Sequence, residues 1–309
     1  MTITPDTCVY IAGAGGMLGR AVHAEFSARC RVVATDIALT APWISEADVR
    51  DYAALRRSVM DVRPDVILNL AALTDMEHCE REPTNAWRTN AIGAEHAALL
   101  AAELDIPHVY ISTAGIFDGA QAEYHEFDAP HPLSVYARSK YAGEVFVARH
   151  VRQHFVVRAG WMMGGGPALD KKFVNKIYRQ IAAGARELFV VDDKVGTPTY
   201  TIDFARGLRR LVESDLYGIY NQACPGACSR YDVACRFVQA LGLEGQVLVT
   251  RVSSDHFREE YFAPRPPSER LTSLKLDARG LEEMREWTIC LDEYAEVFRA
   301  DLAQRGGPR

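Results

Sequence analysis

Cys8-Val9-Tyr10-Ile11-Ala12-Gly13-Ala14-Gly15-Gly16-Met17-Leu18-Gly19 decides the fold. Five apolar residues stop abruptly at glycines, and Ala21 to Phe26 continues with helical character, so strand, tight turn and helix follow in order. Gly13, Gly16 and Gly19 hold the first, fourth and seventh positions of a GxxGxxG turn. Glycine permits the backbone angles of such a turn and lets peptide NH groups approach an anion at the helix N-terminus, while the last glycine allows close helix–strand packing. The backbone of Gly13, Gly16, Met17, Leu18 and Gly19 is therefore the expected cradle for a pyrophosphate. Asp36 ends a second β-branched run, Arg31–Thr35, and stands 17 residues beyond Gly19. There a carboxylate can accept hydrogen bonds from an adenosine ribose. The same charge repels a 2′-phosphate and leans towards NADH over NADPH; by itself, Asp36 also reads as a strand-end cap. Asp48-Val49 follows a short third strand and either flanks the adenine or forms a surface turn.

The alternation runs on. Val66-Ile67-Leu68-Asn69-Leu70, Val109-Tyr110-Ile111-Ser112 and Phe155-Val156-Val157 are further apolar runs separated by helical stretches, clearest in Thr84–Leu104. Near-continuous hydrophobic strands between helices mean parallel strands buried on both faces, the doubly wound, Rossmann-type α/β arrangement. After Gly160 the pattern loosens into the run Gly164-Gly165-Gly166-Pro167, a basic helix near Lys171–Ala183 and a strand at Leu188–Val191. A capped helix is expected after Thr201 and another after Ser229, where Ser-x-x-Asp232 reads as a capping box. Pro264-Arg265-Pro266-Pro267 must be an extended loop. The expected organisation is a dinucleotide-binding domain over 1–160, joined by part of 188–215, and a smaller mixed α/β substrate-binding lobe over 161–309. Gly306-Gly307-Pro308 reads as a disordered tail.

Composition sets the outer bounds. The chain has 309 residues, 48% hydrophobic and 25% charged, which suits a globular protein with a real core. Its 35 Lys and Arg against 41 Asp and Glu give a net charge of −6, so there is no general attraction to nucleic acid or an acidic membrane. No apolar stretch nears the ~18–20 residues of a membrane span, and Met1 to Asp6 lacks a signal-peptide layout, so a cytoplasmic protein is expected. Seven cysteines, an odd number, suggest reduced thiols. Cys224, Cys228 and Cys235 only faintly suggest metal spacing, with no CxxC or histidine partner beside them, and no metal is expected.

Tyr136 and Lys140 form Tyr-x-x-x-Lys, which on a helix puts phenol and ammonium on one face, a turn apart. An unperturbed tyrosine has a pKa of about 10, so a phenol exchanging protons near neutrality needs a nearby cation. Ser112-Thr113 closes the strand that starts at Val109, and hydroxyls at a strand's carboxyl end face the crevice where doubly wound sheets bind ligands. The bland alternatives are a solvent-facing Tyr/Lys pair and a hydroxyl capping the next turn.

Together these features resemble the extended short-chain dehydrogenase/reductases, where GxxGxxG, a helix-borne Asn, a Ser/Thr and Tyr-x-x-x-Lys recur in this order. Here they read Gly13/Gly16/Gly19, Asn90, Thr113 and Tyr136/Lys140. Within that family the sequence is most similar to the dTDP-4-dehydrorhamnose reductase group. The likeness spans nearly the whole chain, through Arg63-Pro64-Asp65, Ala71-Ala72-Leu73-Thr74-Asp75, Phe117-Asp118-Gly119, Gly196-Thr197-Pro198-Thr199 and Arg265-Pro266.

The resemblance implies hydride transfer from NAD(P)H to the 4-keto carbon of a nucleoside-diphosphate 4-keto-6-deoxy sugar. Tyr136 would donate the proton, Thr113 would hold the carbonyl oxygen, and Lys140 would hold the nicotinamide ribose and bias Tyr136 downward. Asn90 would carry a water between Lys140 and solvent. Ala71 and Ala72 would run beside the cofactor, though packing explains alanines equally well. Trp161 matches an aromatic that contacts the sugar in the family, or is core. Two phosphates call for local cations: Lys172, Lys176 and Arg179 form a basic stripe or a solvated helix face, and Arg265 either pins a phosphate or holds its own loop. Family members usually follow the threonine with Asp-Tyr-Val, whereas this chain has Ala114-Gly115-Ile116. Neither Ala114 nor Gly115 can do the acid–base work of the Asp-Glu pair in the related sugar 4,6-dehydratases. The remaining alternatives are an epimerase of the same family and a redox-silent regulatory subunit; a homodimer is one assembly open to the chain, and the sequence does not choose the oligomeric state.

Overall fold

A computed structural model describes residues 1–305; the tail expected at Gly306-Gly307-Pro308 lies outside the described residues. Seven strands make the central sheet: β1 (Cys8–Ala12), β2 (Arg31–Asp36), β3 (Ile44–Glu46), β4 (Val66–Asn69), β5 (His108–Thr113), β6 (His154–Ala159) and β7 (Gly218–Gln222). Their order is β7-β6-β5-β4-β1-β2-β3, and each neighbouring pair is parallel. Chain order reverses between β1 and β4, so a crevice opens there at the strands' carboxyl ends, the place where sheets of this kind bind ligands.

Both faces are covered, as the unbroken apolar runs require. On one side Val9, Ile11, Val22 and Phe26 pack with Phe204, Leu208 and Leu211 of the Thr201–Ser214 helix. On the other, Tyr10, Leu55, Val59 and Ile67 pack with Ala97, Leu100 and Ala101 of the Gly93–Leu104 helix.

Beyond β6 the chain builds smaller pieces. Trp161–Met163 pairs with Pro198–Tyr200, Glu187–Val191 pairs with Leu248–Val252, and Val195–Gly196 lies between Cys228–Ser229 and Ser268–Glu269. The expected basic helix is Phe173–Ala182. Ser229 caps its helix with the full box, its hydroxyl accepting from the Asp232 NH and the Asp232 carboxylate accepting from the Ser229 NH. The helix expected after Thr201 differs in detail: Thr201 is its first residue, and no side chain caps it. Asp203 in the first turn serves the helix end instead, and Arg285 and Arg206 pair with that buried carboxylate. Residues 201–222 return to the main sheet, whereas Glu187–Val191 stays outside it.

Thr84–Leu104 is helical throughout but not uniformly. Trp87–Ile92 is a wide, π-type turn, in which the Gly93 NH donates to the Arg88 carbonyl five residues back. Such turns concentrate at functional sites. All seven cysteines are free, no helix among the described residues is long and apolar enough to cross a membrane, and no three His, Cys, Asp or Glu among them could hold a metal ion.

Candidate active site

One cleft of about 1530 Å³ runs from the glycine turn, across the ends of β1, β4 and β5, to the segments beyond β6. That exceeds the ~300–1,000 Å³ of a typical small-molecule pocket and suits two ligands end to end. Asn90 and Arg179 excepted, every residue singled out from the sequence as catalytic, cofactor-binding or substrate-binding lines it.

At the glycine end the backbone dictates the residue types. Gly13 has φ +82°, and a Cβ there would fall 2.3 Å from the Ala71 nitrogen. One on Gly19 would fall 2.2 Å from the Ala14 carbonyl oxygen. Gly16 is different: it caps the Met17–Ser27 helix, and a Cβ on it would meet nothing within 4 Å. That open face above a helix N-terminus is the cradle a pyrophosphate needs. Asp36 accepts hydrogen bonds from the Gly15 NH (2.8 Å) and the Ala38 NH (2.8 Å), tying the glycine turn to the end of β2. A carboxylate has about four acceptor sites, so two remain for a ligand. Asp48 is held by the Arg50 guanidinium at 2.7 Å, which keeps its carboxyl below the ordinary range. Arg50 also donates to Asn85, so Asp48 and Val49 form a braced wall.

Ser134 caps the Val135–His150 helix by accepting from the Ala137 NH (3.1 Å), and this sets Tyr136 and Lys140 on the cleft wall. Gly143 lets that helix approach closely, since a Cβ there would meet the Tyr110 hydroxyl at 2.6 Å and the Asn90 carbonyl oxygen at 2.7 Å. Thr113 closes β5 beside them, its hydroxyl accepting from the Gly115 NH at 3.1 Å. Burial pushes the Tyr136 phenol up to about 12, only partly offset by the nearby Thr113 hydroxyl. Lys140, 3% exposed, has its Nζ 4.1 Å from the Tyr110 ring centroid, and burial pulls it down to about 7. Desolvation is the largest influence on both groups.

Asn90 ties neighbouring segments together. It sits buried in the wide turn, its Nδ2 donating to the Leu73 carbonyl (3.0 Å) and Ser139 Oγ (3.0 Å) and its Oδ1 accepting from the Leu73 NH (2.8 Å). With both amide hydrogens engaged, Asn90 acts as a clamp between the loop after Ala71-Ala72 and the helix of Tyr136 and Lys140. The Ala71 NH is fixed by Asn69 Oδ1 at 3.1 Å.

The cations lie at the far end, and each already has a partner. Lys172 reaches across the cleft to the Thr74 hydroxyl (2.8 Å), Lys176 to the Tyr261 hydroxyl (3.2 Å), and Arg265 to Glu77 (2.8 Å). Arg179 is not among them. Seven residues past Lys172, or about 10 Å along the axis, it lines a separate depression with Pro167 and Asn175.

Two residues escaped the sequence reading. Glu269 accepts a hydrogen bond from Trp161 Nε1 at 2.6 Å, and the Arg230 guanidinium stacks 3.6 Å from the centroid of the same indole. Both line the cleft. Neither belongs to a motif, and their positions depend on contacts far apart in sequence; the missing side chain at Gly115, against which Glu269 lies, is the one hint.

Residues 7–300 match the family model described as RmlD substrate binding domain. A dTDP-4-dehydrorhamnose reductase of Mycolicibacterium smegmatis is 35% identical over 296 residues, covering 94% of this chain and 86% of the relative. The crystal structure of a dTDP-4-dehydrorhamnose reductase from Clostridium acetobutylicum superposes with a TM-score of 0.84 at 32% identity, covering 96% of this chain and all of that one. A dTDP-4-dehydrorhamnose reductase from Bacillus anthracis in complex with NADP gives 0.84 at 29% identity, over 94% and 98%. With the doubly wound sheet, the glycine cradle and the Thr113/Tyr136/Lys140 wall in one cleft, the chain belongs to the RmlD substrate binding domain family, the dTDP-4-dehydrorhamnose reductase-like branch of the extended short-chain dehydrogenase/reductases.

Proposed function

We propose that this protein is an NAD(P)H-dependent oxidoreductase that reduces the 4-keto group of a nucleoside-diphosphate 4-keto-6-deoxy sugar, dTDP-4-dehydrorhamnose or a close analogue. The observation that carries this reading is that Thr113, Tyr136 and Lys140 share one cleft with the open glycine cradle at one end and Lys172, Lys176, Arg230 and Arg265 at the other. The site fits a dinucleotide: the open face of Gly16 and the first NH groups of the Met17–Ser27 helix suit a pyrophosphate, and Ala71 and Ala72 bring small residues to its path. When bound, the coenzyme supplies a hydride to the carbonyl carbon.

The chain's own groups do the rest. Tyr136, held protonated by its burial, is an acid that delivers its phenolic proton to the oxygen left by the reduced carbonyl. Thr113 orients that oxygen through its hydroxyl. Lys140 is buried behind Tyr136, and its ammonium becomes more favourable as phenolate forms, so the pair shares the cost of the developing negative charge. Asn90 keeps the two walls in register. Asp36, with acceptor sites left over, favours a ribose 2′-hydroxyl over a 2′-phosphate and hence NADH. The substrate lobe is read as the chain after residue 160, less the return of 201–222 to the sheet, with Trp161 against the sugar and the cations against its phosphates.

The test is absorbance at the coenzyme band while the protein meets dTDP-4-dehydrorhamnose with NADH or NADPH. Stoichiometric oxidation of coenzyme is expected, with loss of about 10²–10⁴-fold in Tyr136→Phe. Isomerisation of the sugar without net coenzyme oxidation would overturn the reductase reading.

A further inference from the structure

Glu269 stands where no acid is called for by the proton-transfer groups already described. A Cβ added to Gly115 would lie 3.3 Å from Glu269 Oε1 and 3.5 Å from Thr113 Oγ1, so the two oxygens border one gap, kept open by the absence of a side chain at 115. The carboxylate is held firmly. Its Oε2 accepts from Trp161 Nε1 at 2.6 Å. That indole is itself pinned, with Gly196 on one side, where a Cβ would come within 2.4 Å of the ring, and the Arg230 guanidinium near its centroid. Arg230 is steadied in turn by the Phe173 ring at 5.0 Å, and its charge attracts that of Glu269. A group fixed on both sides in this way is a preorganised acceptor rather than a mobile surface acid.

An ionised carboxylate only accepts hydrogen bonds, so its complement in a ligand is a donor. With a carbonyl oxygen seated on Thr113 and Tyr136, the groups next to the gap are those on the two flanking ring carbons; in a 4-keto-6-deoxy sugar C5 carries a methyl group and the ring oxygen, and C3 alone carries a donor, its hydroxyl. We propose that Glu269 is a specificity-determining residue: its carboxylate, seated against Gly115 and held by Trp161, accepts a hydrogen bond from the substrate hydroxyl on C3, next to the carbonyl. This rests on the keto-sugar reading above. It also gives Ala114-Gly115 a purpose, since the carboxylate absent after the threonine is supplied from the Ser268–Glu269 strand across the cleft.

Calorimetric titration with oxidised dinucleotide present tests this independently of turnover, using dTDP-4-dehydrorhamnose and its 3-deoxy counterpart as probes. The wild-type protein is expected to bind the hydroxyl-bearing sugar about 10- to 100-fold more tightly, as a charge-assisted hydrogen bond implies. Glu269→Ala should reduce that ratio to below about threefold by weakening only the hydroxyl-bearing probe. Gly115→Ala, which crowds the carboxylate without changing its charge, should give an intermediate ratio and covers the case in which Glu269→Ala fails to fold. A wild-type ratio retained in Glu269→Ala or, should that variant not fold, in Gly115→Ala would overturn the proposal. Discrimination by wild type with no coenzyme oxidation in the parallel absorbance assay would sink the reductase reading and leave this assignment supported. Turnover with unaltered discrimination in the variants would do the reverse.

Discussion

Lys140→Met should remove activity and yet stabilise the fold, most of all in acid. The amine is 3% exposed, faces the Tyr110 ring, and is pulled from 10.5 to about 7, with Glu144 opposing the shift only partly. The fall from 10.5 to about 7, at about 1.36 kcal/mol per tenfold change in proton affinity, sets a ceiling near 5 kcal/mol on what the charged form costs the folded state. Because the folded value is the lower one, the unfolded chain holds the extra proton between about pH 7 and 10.5, and stability from this group rises with pH across that window. Below about pH 7 the penalty is complete and flat. Near pH 9.5 only about one tenfold step of it is left, or roughly 1.4 kcal/mol. Urea denaturation of both proteins at about pH 6, 7.5 and 9.5 reads this directly, since groups common to the two cancel in the difference. The variant should be the more stable at pH 6, and its advantage should shrink by about 3 kcal/mol at pH 9.5. An advantage that stayed constant across this range would refute the argument that the buried ammonium is the strained partner of the pair.

Three further outcomes follow from the site. Gly16→Val, at a position of negative φ with open space beside it, should melt like wild type yet lose dinucleotide binding by at least tenfold, as followed by NADH fluorescence; unchanged affinity would show that the cradle lies elsewhere. Asp36→Ser should shift the ratio of kcat/KM for NADPH over NADH upward by about tenfold or more, and an unmoved ratio would remove the carboxylate from coenzyme choice. Glu144→Gln leaves the Arg158 guanidinium, 2% exposed, without its carboxylate, and should cost about 3–5 kcal/mol in denaturant titration; a loss below 1 kcal/mol would mean that the Phe117 ring already stabilises that charge.

What the sequence disclosed was local. The glycine turn, the Tyr136/Lys140 step and the Ser229 box are each set within one or two turns of chain, and spacing alone carries them. β1, β2, β4, β5 and β6 were legible because burial on both faces forces near-continuous apolar runs, whereas β3, with only Ile44 buried, showed no more than a short strand before Asp48. β7 was not, since two of its five residues are amides: Asn221 and Gln222 are accommodated only because Asn221 donates to the Tyr124 and Thr272 carbonyls and Gln222 to the Phe204 carbonyl, partners remote in sequence. The wide turn at Asn90 has no compositional mark. Lys172 and Lys176 were visible as a stripe, but nothing in helical periodicity says where a cleft ends, and so Arg179 was grouped with them. Glu269 and Arg230 were invisible for the same reason as β7, being brought to the Trp161 indole by separate returns of the chain.

That late strand has a consequence for how such a protein can change. The chain leaves the sheet after Ala159, visits the other half, comes back for residues 201–222, and departs again. A single junction near residue 160 would strand the sheet without its edge and strip Val22 and Phe26 of their cover from Phe204 and Leu208. Exchanging the segments outside the sheet for those of a cousin therefore takes three splices, near 160, 200 and 222, rather than one. Diversification by small edits around a fixed scaffold, such as an acid moved from one loop to another, is the cheaper course.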